Sequence, residues 1–505
     1  MPKILQIAIT VLFIATFRVP SLAQQQDAKA SKLDKLEQEL EALEKRDQEN
    51  DRKRARLKGD LEALKKVGSF PDSAADKTDH DEGRDSLDEA LEDVYSTGGS
   101  GAHEGPSSRN LWSKQVGDAK LRLLDLSADL LVAIGSSSER DSSLETLQGG
   151  EHDPKRRGFT FQAFELSALG AVDPYFESQA HIVFFLDAEG ETKLELEEAF
   201  LTTLDLPFGL GDAGVELEVG HFLTEFGRQN PQHPHSWQWI DQPVVLSRFF
   251  GGDGLRAPGF RLGWLTPLPW FSELHFGVQN ATGETLVSFF ANDEVFEDRS
   301  IGGLPFVEQD VRDFEDMLYL GRWDHAWDFS EEISSKLGFS FLSGPNATGP
   351  DGCTFVYGVD HVLKWRPVDN HKGWPFVSWQ TEALKRDYQS DDAVDEMGDA
   401  VESNILRDWG LYTQLLYGFV RNWAVGARFG YSSGKERGAY ASRDDDPFRD
   451  TRFRISPLLL WNASEFSRIR LQYNYDMADH LQDDYAHSVW LGFEASIGSH
   501  PAHQY

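Results

Sequence analysis

The segment FGRQNPQHPHSWQWIDQP, residues 226–243, contains the residue types of a metal site. His233 and His235 are two positions apart, Asp241 follows them, and His221 lies just upstream. Imidazole and carboxylate groups are zinc ligands, and a zinc site normally needs three or four of them. His233, His235 and Asp241 could supply three ligands, with His221 as a fourth. The alternative is that the two histidines are polar loop residues that only form hydrogen bonds.

Which of these applies depends on the structure that holds the segment, and the composition narrows the choice. The chain has 505 residues, of which 40% are hydrophobic, and 84 acidic side chains against 49 basic ones give a net charge of -35. Nucleic acid is not an expected partner, because phosphate binding needs clustered Lys and Arg. We find no GxSxG elbow and no nucleophile–base pair, so the sequence does not predict an enzyme.

Three segments precede the remainder of the chain. Residues 1–23 have a lysine, an apolar run and a small-residue end, which together predict a secretory signal peptide. Leucines at three- and four-residue spacing in 31–67 predict a periplasmic coiled coil, and through it a homo-oligomer, expected to be a trimer. A single amphipathic helix on a surface is the alternative. Residues 68–117 are rich in Asp, Glu, Gly and Ser and predict an acidic flexible linker.

Period-two alternation replaces helical periodicity over residues 118–505. In SRIRLQYNYDM, Leu471 and Met477 share one face while Arg470 and Gln472 share the other. We count sixteen such segments, each about the length that a tilted strand needs to cross a bilayer. The predicted fold class is all-β, a transmembrane antiparallel β-barrel of about 16 strands preceded by the α-helical coiled coil. A soluble β-sandwich is the alternative, and fourteen or eighteen strands also fit.

The connections favour the membrane barrel, because short and long ones alternate along the chain. The short connections are AVDPY, LPFGLGDAG, TPLPWF, WDHAWDF, RPVDNHKG, VRN and NASEF. Aromatic residues near strand ends are expected to form the girdles at the two membrane interfaces: Tyr175, Trp270, Trp365, Trp374, Trp409, Trp423 and Trp461.

With these features the chain resembles the porin-like β-barrel proteins of Gram-negative outer membranes that carry an N-terminal coiled coil, as in the phosphate-selective porin group. Residues 197–255, including VGHFLTEFGRQNPQHPHSWQWIDQPVV, are also similar to uncharacterised barrel proteins with an FG-x-x-N-x-x-H-x-H segment, some of them described as zinc-regulated or TonB-linked receptors. The resemblance implies a place in the outer membrane, in contact with lipid and lipopolysaccharide. It also implies that the third long connection, 226–257, folds into the barrel and narrows it.

Assigning apolar side chains to lipid places two sets of charges inside the barrel. The acidic set lies on the first five strands: Asp125, Asp129, Glu165, Glu195, Glu197, Glu216 and Glu218. The basic set lies on strands thirteen to fifteen: Arg428, Arg452, Arg454, Arg468 and Arg470. Facing walls of acid and arginine would produce a transverse field across a water-filled pore. The alternative is that these charges pair directly and brace the wall. Glu198 would face lipid unless a β-bulge intervenes.

The expected function is therefore a channel for passive diffusion of small hydrophilic solutes or ions, narrowed by an inserted loop. No cofactor is expected beyond the hypothetical zinc ion. One alternative is a metal or siderophore uptake receptor, which the lack of a separate plug domain disfavours. Another is a structural tether, in which the coil and linker reach the cell wall.

Overall fold

The computed structural model describes residues 113–116, 119–122 and 124–498, apart from 188–189, 293–294, 297–298, 395–399, 437 and 440–445. The predicted signal peptide, coiled coil and most of the linker lie outside these residues, as does the C-terminal segment 499–505. Sixteen of the described strands form one closed barrel, and every neighbouring pair of them is antiparallel. The predicted all-β class and strand number are confirmed.

Two small hairpins accompany the barrel strands. They are β1 (Ser113–Val116) with β2 (Ala119–Arg122), and β14 (Ala393–Val394) with β15 (Ala400–Val401). The barrel strands follow chain order: β3 (Asp125–Ser137), β4 (Gly158–Ala171), β5 (Phe176–Leu186), β6 (Thr192–Thr203), β7 (Val215–Leu223), β8 (Arg256–Leu265), β9 (Phe271–Asn280), β10 (Met317–Asp328), β11 (Ile333–Pro345), β12 (Cys353–Trp365), β13 (Phe376–Gln389), β16 (Ile405–Val420), β17 (Trp423–Lys435), β18 (Arg452–Ser464), β19 (Ser467–Ala478) and β20 (Tyr485–Gly498). β20 pairs with β3 and closes the barrel.

Helices occur only in connections within the described part of the chain. They are α1 (Asp141–Leu147), α2 (Val244–Phe250) and the 3-10 turns Pro207–Gly209, Pro234–Ser236 and Phe314–Asp316. None of the described helices is long and apolar enough to cross a membrane.

The strands separate apolar and polar side chains between the two faces of the barrel wall. On β19, Leu471 and Met477 are each 46% exposed, whereas Arg470 and Gln472 are almost fully buried. An inward-facing side chain is buried by what fills the barrel, while an outward-facing one stays largely exposed among the residues that the structure describes. The outer surface is therefore apolar, which suits lipid contact.

The connections sort by length between the two ends of the barrel. Those at 172–175, 266–270, 329–332 and 421–422 are among the short turns at one end, and 138–157, 224–255, 281–316 and 436–451 are long loops at the other. One predicted turn is wrong, since WDHAWDF lies largely within β10. The turn instead follows that strand, where Ser330 Oγ accepts the backbone N–H groups of Glu332 and Ile333.

A β-bulge in β6 resolves the exception noted for Glu198. His181 of β5 pairs with Glu198, but the next residue, Ile182, pairs with Leu196, so Glu197 has no partner in the register. The extra residue lets two consecutive side chains face the same way. Glu197 and Glu198 are accordingly both buried, at 2% and 7% exposure.

Aromatic side chains cluster near the strand ends, most of them at the short-turn end. Trp423 and Trp461 stack there with ring centroids 5.7 Å apart, and Trp270 is 40% exposed in the turn before β9. Trp409 is exposed near the long-loop end of β16. Trp374 departs from the girdle prediction, because it packs against a buried cluster that includes Trp239. The exposed aromatics match the interfacial belts of membrane barrels.

A charged side chain on the outer face of mid-strand should destabilise the protein only if that face meets lipid. We expect Leu471→Arg to lower the free energy of unfolding from lipid vesicles by about 2–4 kcal/mol, and Val368→Arg, in the turn between β12 and β13, by no more than about 1 kcal/mol. Denaturant titration followed by tryptophan fluorescence measures both. Equal losses for the two variants would contradict a lipid-facing β19.

Candidate functional site in the barrel lumen

The 224–255 connection, between β7 and β8, packs against inward-facing side chains. All seven residues of α2 are buried. Phe226, Leu246 and Phe249 belong to one buried cluster with Leu320 and Leu342, which lie on β10 and β11. Apolar burial of this kind is the main favourable contribution to docking. Phe226 and α2 thus attach the connection to the barrel wall through apolar contacts.

Two glycines allow the backbone of the connection to approach the wall. Gly227 has a positive φ of 64°, and a Cβ built on it would lie 1.7 Å from a carboxylate oxygen of Glu382. A Cβ on Gly358 of β12 would lie 2.6 Å from the ring of Phe226. Any larger residue at Gly227 would meet both backbone strain and a steric clash. The FG pair of the motif is therefore explained by packing.

Arginines of β19 hold the connection from the other side of the lumen. Arg470 Nη1 donates hydrogen bonds to the carbonyl oxygens of Trp237 and Trp239, both at 3.1 Å. Arg468 donates to the carbonyl oxygen of His235. Both guanidinium groups also pair with Glu494 of β20, at 2.7 and 3.0 Å. The guanidinium groups of Arg468 and Arg470 therefore bind the connection and Glu494, and they do not face the open part of the lumen.

Asp241 is the central carboxylate of the arginine side. It pairs with Arg428 and, at 2.8 Å, with Arg454, and it also accepts hydrogen bonds from Gln472 and Asn474. Burial by itself would raise the pKa of the Asp241 carboxyl, but the two guanidinium groups outweigh it and lower the pKa to about 2. Asp241 is therefore an ion-pair partner for the arginines.

The remaining arginine of the predicted basic set, Arg452, also pairs directly. Its Nη2 lies 2.8 Å from Asp476 Oδ1, an atom that Arg454 Nε also contacts at 2.7 Å. Arg454 reaches the carbonyl oxygen of Leu147, at the end of α1. All five predicted arginines are thus buried and paired.

The predicted acidic residues occupy more varied surroundings. Asp129 is fully buried and accepts the hydroxyl of Ser496. Glu195 pairs with Arg256 at 3.1 Å. Asp125 is half-buried at the start of β3, Glu218 is buried and pairs with Arg261 at 2.9 Å, and Glu216 is exposed near the start of β7.

Glu165 and Glu197 meet the two histidines of the connection. His233 Nδ1 lies 2.9 Å from Glu197 Oε2, and its Nε2 lies 2.8 Å from Glu198 Oε2. His235 Nδ1 lies 2.7 Å from Glu165 Oε2. The other oxygen of Glu165 contacts the ring of a third histidine from the wall. We call the group the histidine–carboxylate cluster: Glu165, His181, Glu197, Glu198, His233 and His235.

The structure therefore divides the residues of the original zinc hypothesis. His233 and His235 come together, but Asp241 lies among the arginines. His221 is on β7, opposite Ala199 in the register, and is not among the described contacts of the cluster. Sequence reasoning does not single out His181, although its alternation with Gln179 on the inward face of β5 is a usable signal. Glu198 is brought inward by the bulge.

The charge state of His233 follows from its surroundings. Burial disfavours the imidazolium, but Glu197 and Glu165 nearby and the hydrogen bonds to Glu197 and Glu198 more than compensate, and they raise the pKa of His233 well above its usual value. A proton on each ring nitrogen is then shared with a carboxylate. His233 is therefore held between two carboxylates, one at each ring nitrogen.

A cavity of about 360 Å³ adjoins the cluster toward the short-turn end of the barrel. Its ionisable lining residues are acids and histidines with one arginine: Asp125, Glu198, Glu218, Glu225, His181, His233, His235 and Arg261. Arg261 is itself neutralised by Glu218 and Glu225, at 2.9 and 2.5 Å. The cavity is consequently an acid-lined space beside the docked connection.

No known family model matches the chain. An uncharacterised protein of Aquifex aeolicus (strain VF5) is 29% identical over 412 residues, covering 76% of this chain and 81% of the relative.

Several solved structures resemble the chain at low sequence identity. The outer membrane channel DcaP of Acinetobacter baumannii has 12% identity and a TM-score of 0.46, covering 74% of this chain and 97% of its own. OprB of Pseudomonas putida has 12% identity and a TM-score of 0.45, covering 74% and 94%. OmpT of Vibrio cholerae, in a trimer form, has 9% identity and a TM-score of 0.42, covering 74% and 99%. The chain is thus a closed barrel of sixteen antiparallel strands with an apolar outer face.

Proposed function

We propose that the protein is a porin-like outer-membrane channel for passive diffusion of small hydrophilic solutes or ions, and that the 224–255 connection narrows it. The observation that carries the proposal is the acid-lined cavity beside the connection. In a barrel this size, solute passage depends on what the interior leaves open. The packing of α2 and its neighbours implies a narrow route and a small conductance.

The route that we propose prefers cations. The arginines of β17 to β19 are buried against Asp241, Asp476, Glu494 and backbone carbonyls. Because their charges are neutralised by these partners, the arginines produce only a weak electric field in the lumen and do not create a path for anions. The cavity is lined by four carboxylates and one arginine, and this excess of acid raises the local concentration of positive ions. In this proposal the arginines are neutralised by direct ion pairs, and only the acidic side of the lumen selects ions. The transverse field between an acidic wall and a basic wall is not needed.

The assembly in the cell forms part of the same proposal. The apolar outer face would contact outer-membrane lipid, and lipopolysaccharide at the long-loop end. The heptad pattern of 31–67 would join chains into a homo-oligomer, expected to be a trimer, in the periplasm. Contact of that segment with the cell wall would be compatible with channel activity.

Ion selectivity tests the acid-lined route. In planar bilayers under a salt gradient we expect a reversal potential of the cation-selective sign. Glu218→Gln combined with Glu225→Gln should shift it toward anions, because Arg261 then lacks its two partners. Glu308→Gln with Glu315→Gln, both exposed in the 281–316 connection, is the matched control and should change little. No current, or unchanged selectivity in the cavity variant, would contradict the proposal.

The docking of the connection can be tested at Asp241. Asp241→Asn leaves the guanidinium groups of Arg428 and Arg454 without a carboxylate between them, a loss of about 3–5 kcal/mol for a buried pair. We expect larger and noisier single-channel currents, since the connection would detach part of the time. Asp212→Asn, in an exposed short turn, should behave as the unaltered protein. Identical currents from both variants would show that the connection does not set the aperture.

A further inference from the structure

We propose that the histidine–carboxylate cluster binds one divalent transition-metal ion, with His181, His233, Glu165 and Glu197 as ligands. His181 Nδ1 lies 2.9 Å from Glu165 Oε1, and His233 Nδ1 lies 3.5 Å from the same oxygen. These three atoms are all within 4.8 Å of one another. Glu197 Oε2 adds a fourth atom, 2.9 Å from His233 Nδ1.

The spacing of these atoms suits tetrahedral coordination. Bonds of about 2.0–2.2 Å to nitrogen and oxygen place neighbouring ligand atoms about 3.3 Å apart around zinc. The separations of 2.9 and 3.5 Å among His181, His233 and Glu165 straddle that value, so these three groups need only small side-chain shifts to admit an ion. Glu197, which already lies against His233, would have to turn further toward the ion to complete the set. Two imidazoles with two carboxylates favour zinc and similar metals over calcium or magnesium, which take oxygen ligands.

The remaining members of the cluster, Glu198 and His235, form hydrogen bonds that orient the proposed ligands. His233 Nε2 contacts Glu198 Oε2, and Glu198 Oε1 accepts the backbone N–H of Leu223 at 2.6 Å. His235 contacts the oxygen of Glu165 that faces away from the other ligands. A metal-binding histidine commonly donates its second ring N–H to a carboxylate, which fixes its tautomer. The bulge in β6 creates this arrangement by turning both Glu197 and Glu198 inward.

The charges and access of the cluster also fit a cation. Three carboxylates face three imidazoles, a set of ligand types that suits a divalent transition-metal ion. Among the described residues, the ion pairs of Glu165, Glu197 and Glu198 are with histidine only. His181 and His233 line the cavity, which gives an ion a path to the site.

Two other groups have metal-like spacing, but each already contains a bound cationic side chain. In the group of His152, Glu195 and Asp253, Arg256 pairs with Glu195 at 3.1 Å. In the group of Glu225, His275 and Asp324, Arg261 and Arg322 pair with the two carboxylates at 2.5 and 2.7 Å. A guanidinium group at these positions competes with a metal ion.

Zinc titration of the full chain in detergent, followed by calorimetry, tests the proposal. We expect one zinc ion per chain, removed by a chelator. Calorimetry measures zinc binding whether or not the barrel conducts ions. A negative result would therefore count against the metal site and not against the proposed channel. Absence of zinc binding by the unaltered protein would overturn the inference.

Variants locate the ion. Glu198→Gln should weaken zinc binding by about 10- to 100-fold, and His181→Gln or His233→Gln by more than that. His487→Gln, exposed on β20, is the matched control and should retain full affinity. Heat-dependent gel mobility verifies that each barrel is folded. Loss of binding in His152→Gln with retention in His181→Gln would assign the ion to another group and overturn the proposal.

X-ray absorption on the zinc-loaded, unaltered protein gives a reading that does not depend on any variant folding. We expect four nitrogen or oxygen ligands, two of them imidazoles. A shell with one imidazole or none would contradict the proposed ligands.

Discussion

The structure depends on how buried guanidinium groups are satisfied inside the barrel. A charge removed from water without a partner costs several kcal/mol, so inward-facing arginines require carboxylates or carbonyl oxygens close by. Arg454 and Arg470 obtain theirs partly from neighbouring strands and partly from the 224–255 connection. Wall and connection are therefore mutually dependent, since each satisfies polar groups that the other leaves buried.

That dependence explains the placement of the acid-lined cavity. The arginine side is occupied by the connection, and the histidines at its tip contact Glu165 on β4 and Glu197 on β6. The space that remains open is the cavity lined by carboxylates of β3, β6 and β7. Apolar packing around α2 then holds the backbone in place at the long-loop end. A single segment thus divides the lumen into a packed part and an acidic part.

Period-two alternation predicted the barrel because one face of every strand meets a different medium from the other. The same rule predicts an inward orientation for Arg468, Arg470 and Glu165. It could not say whether those charges meet water or protein, since that depends on how a distant connection packs. The pairing alternative was stated from the sequence, but choosing it required the contacts of Asp241.

Local irregularities limited prediction of the cluster. Glu198 breaks the alternation, and only the register between β5 and β6 shows that a bulge turns it inward. WDHAWDF resembles a turn because it mixes aromatics with aspartate, yet the hydroxyl of Ser330 places the turn later. Spacing along the chain brought His233 and His235 together but could not supply His181, because that contact joins residues far apart in sequence.

The central claim is that the connection is docked inside the barrel, and hydrogen exchange of the protein in lipid nanodiscs tests it most directly. The backbone N–H of Ile240 donates to Gln472 and that of Gln242 to Asp153, both in buried surroundings. We predict that amides of residues 238–250 exchange as slowly as those of the barrel strands, because exchange there requires undocking. Exchange as fast as in the exposed turn 204–214 would contradict the docked connection and the narrowed channel.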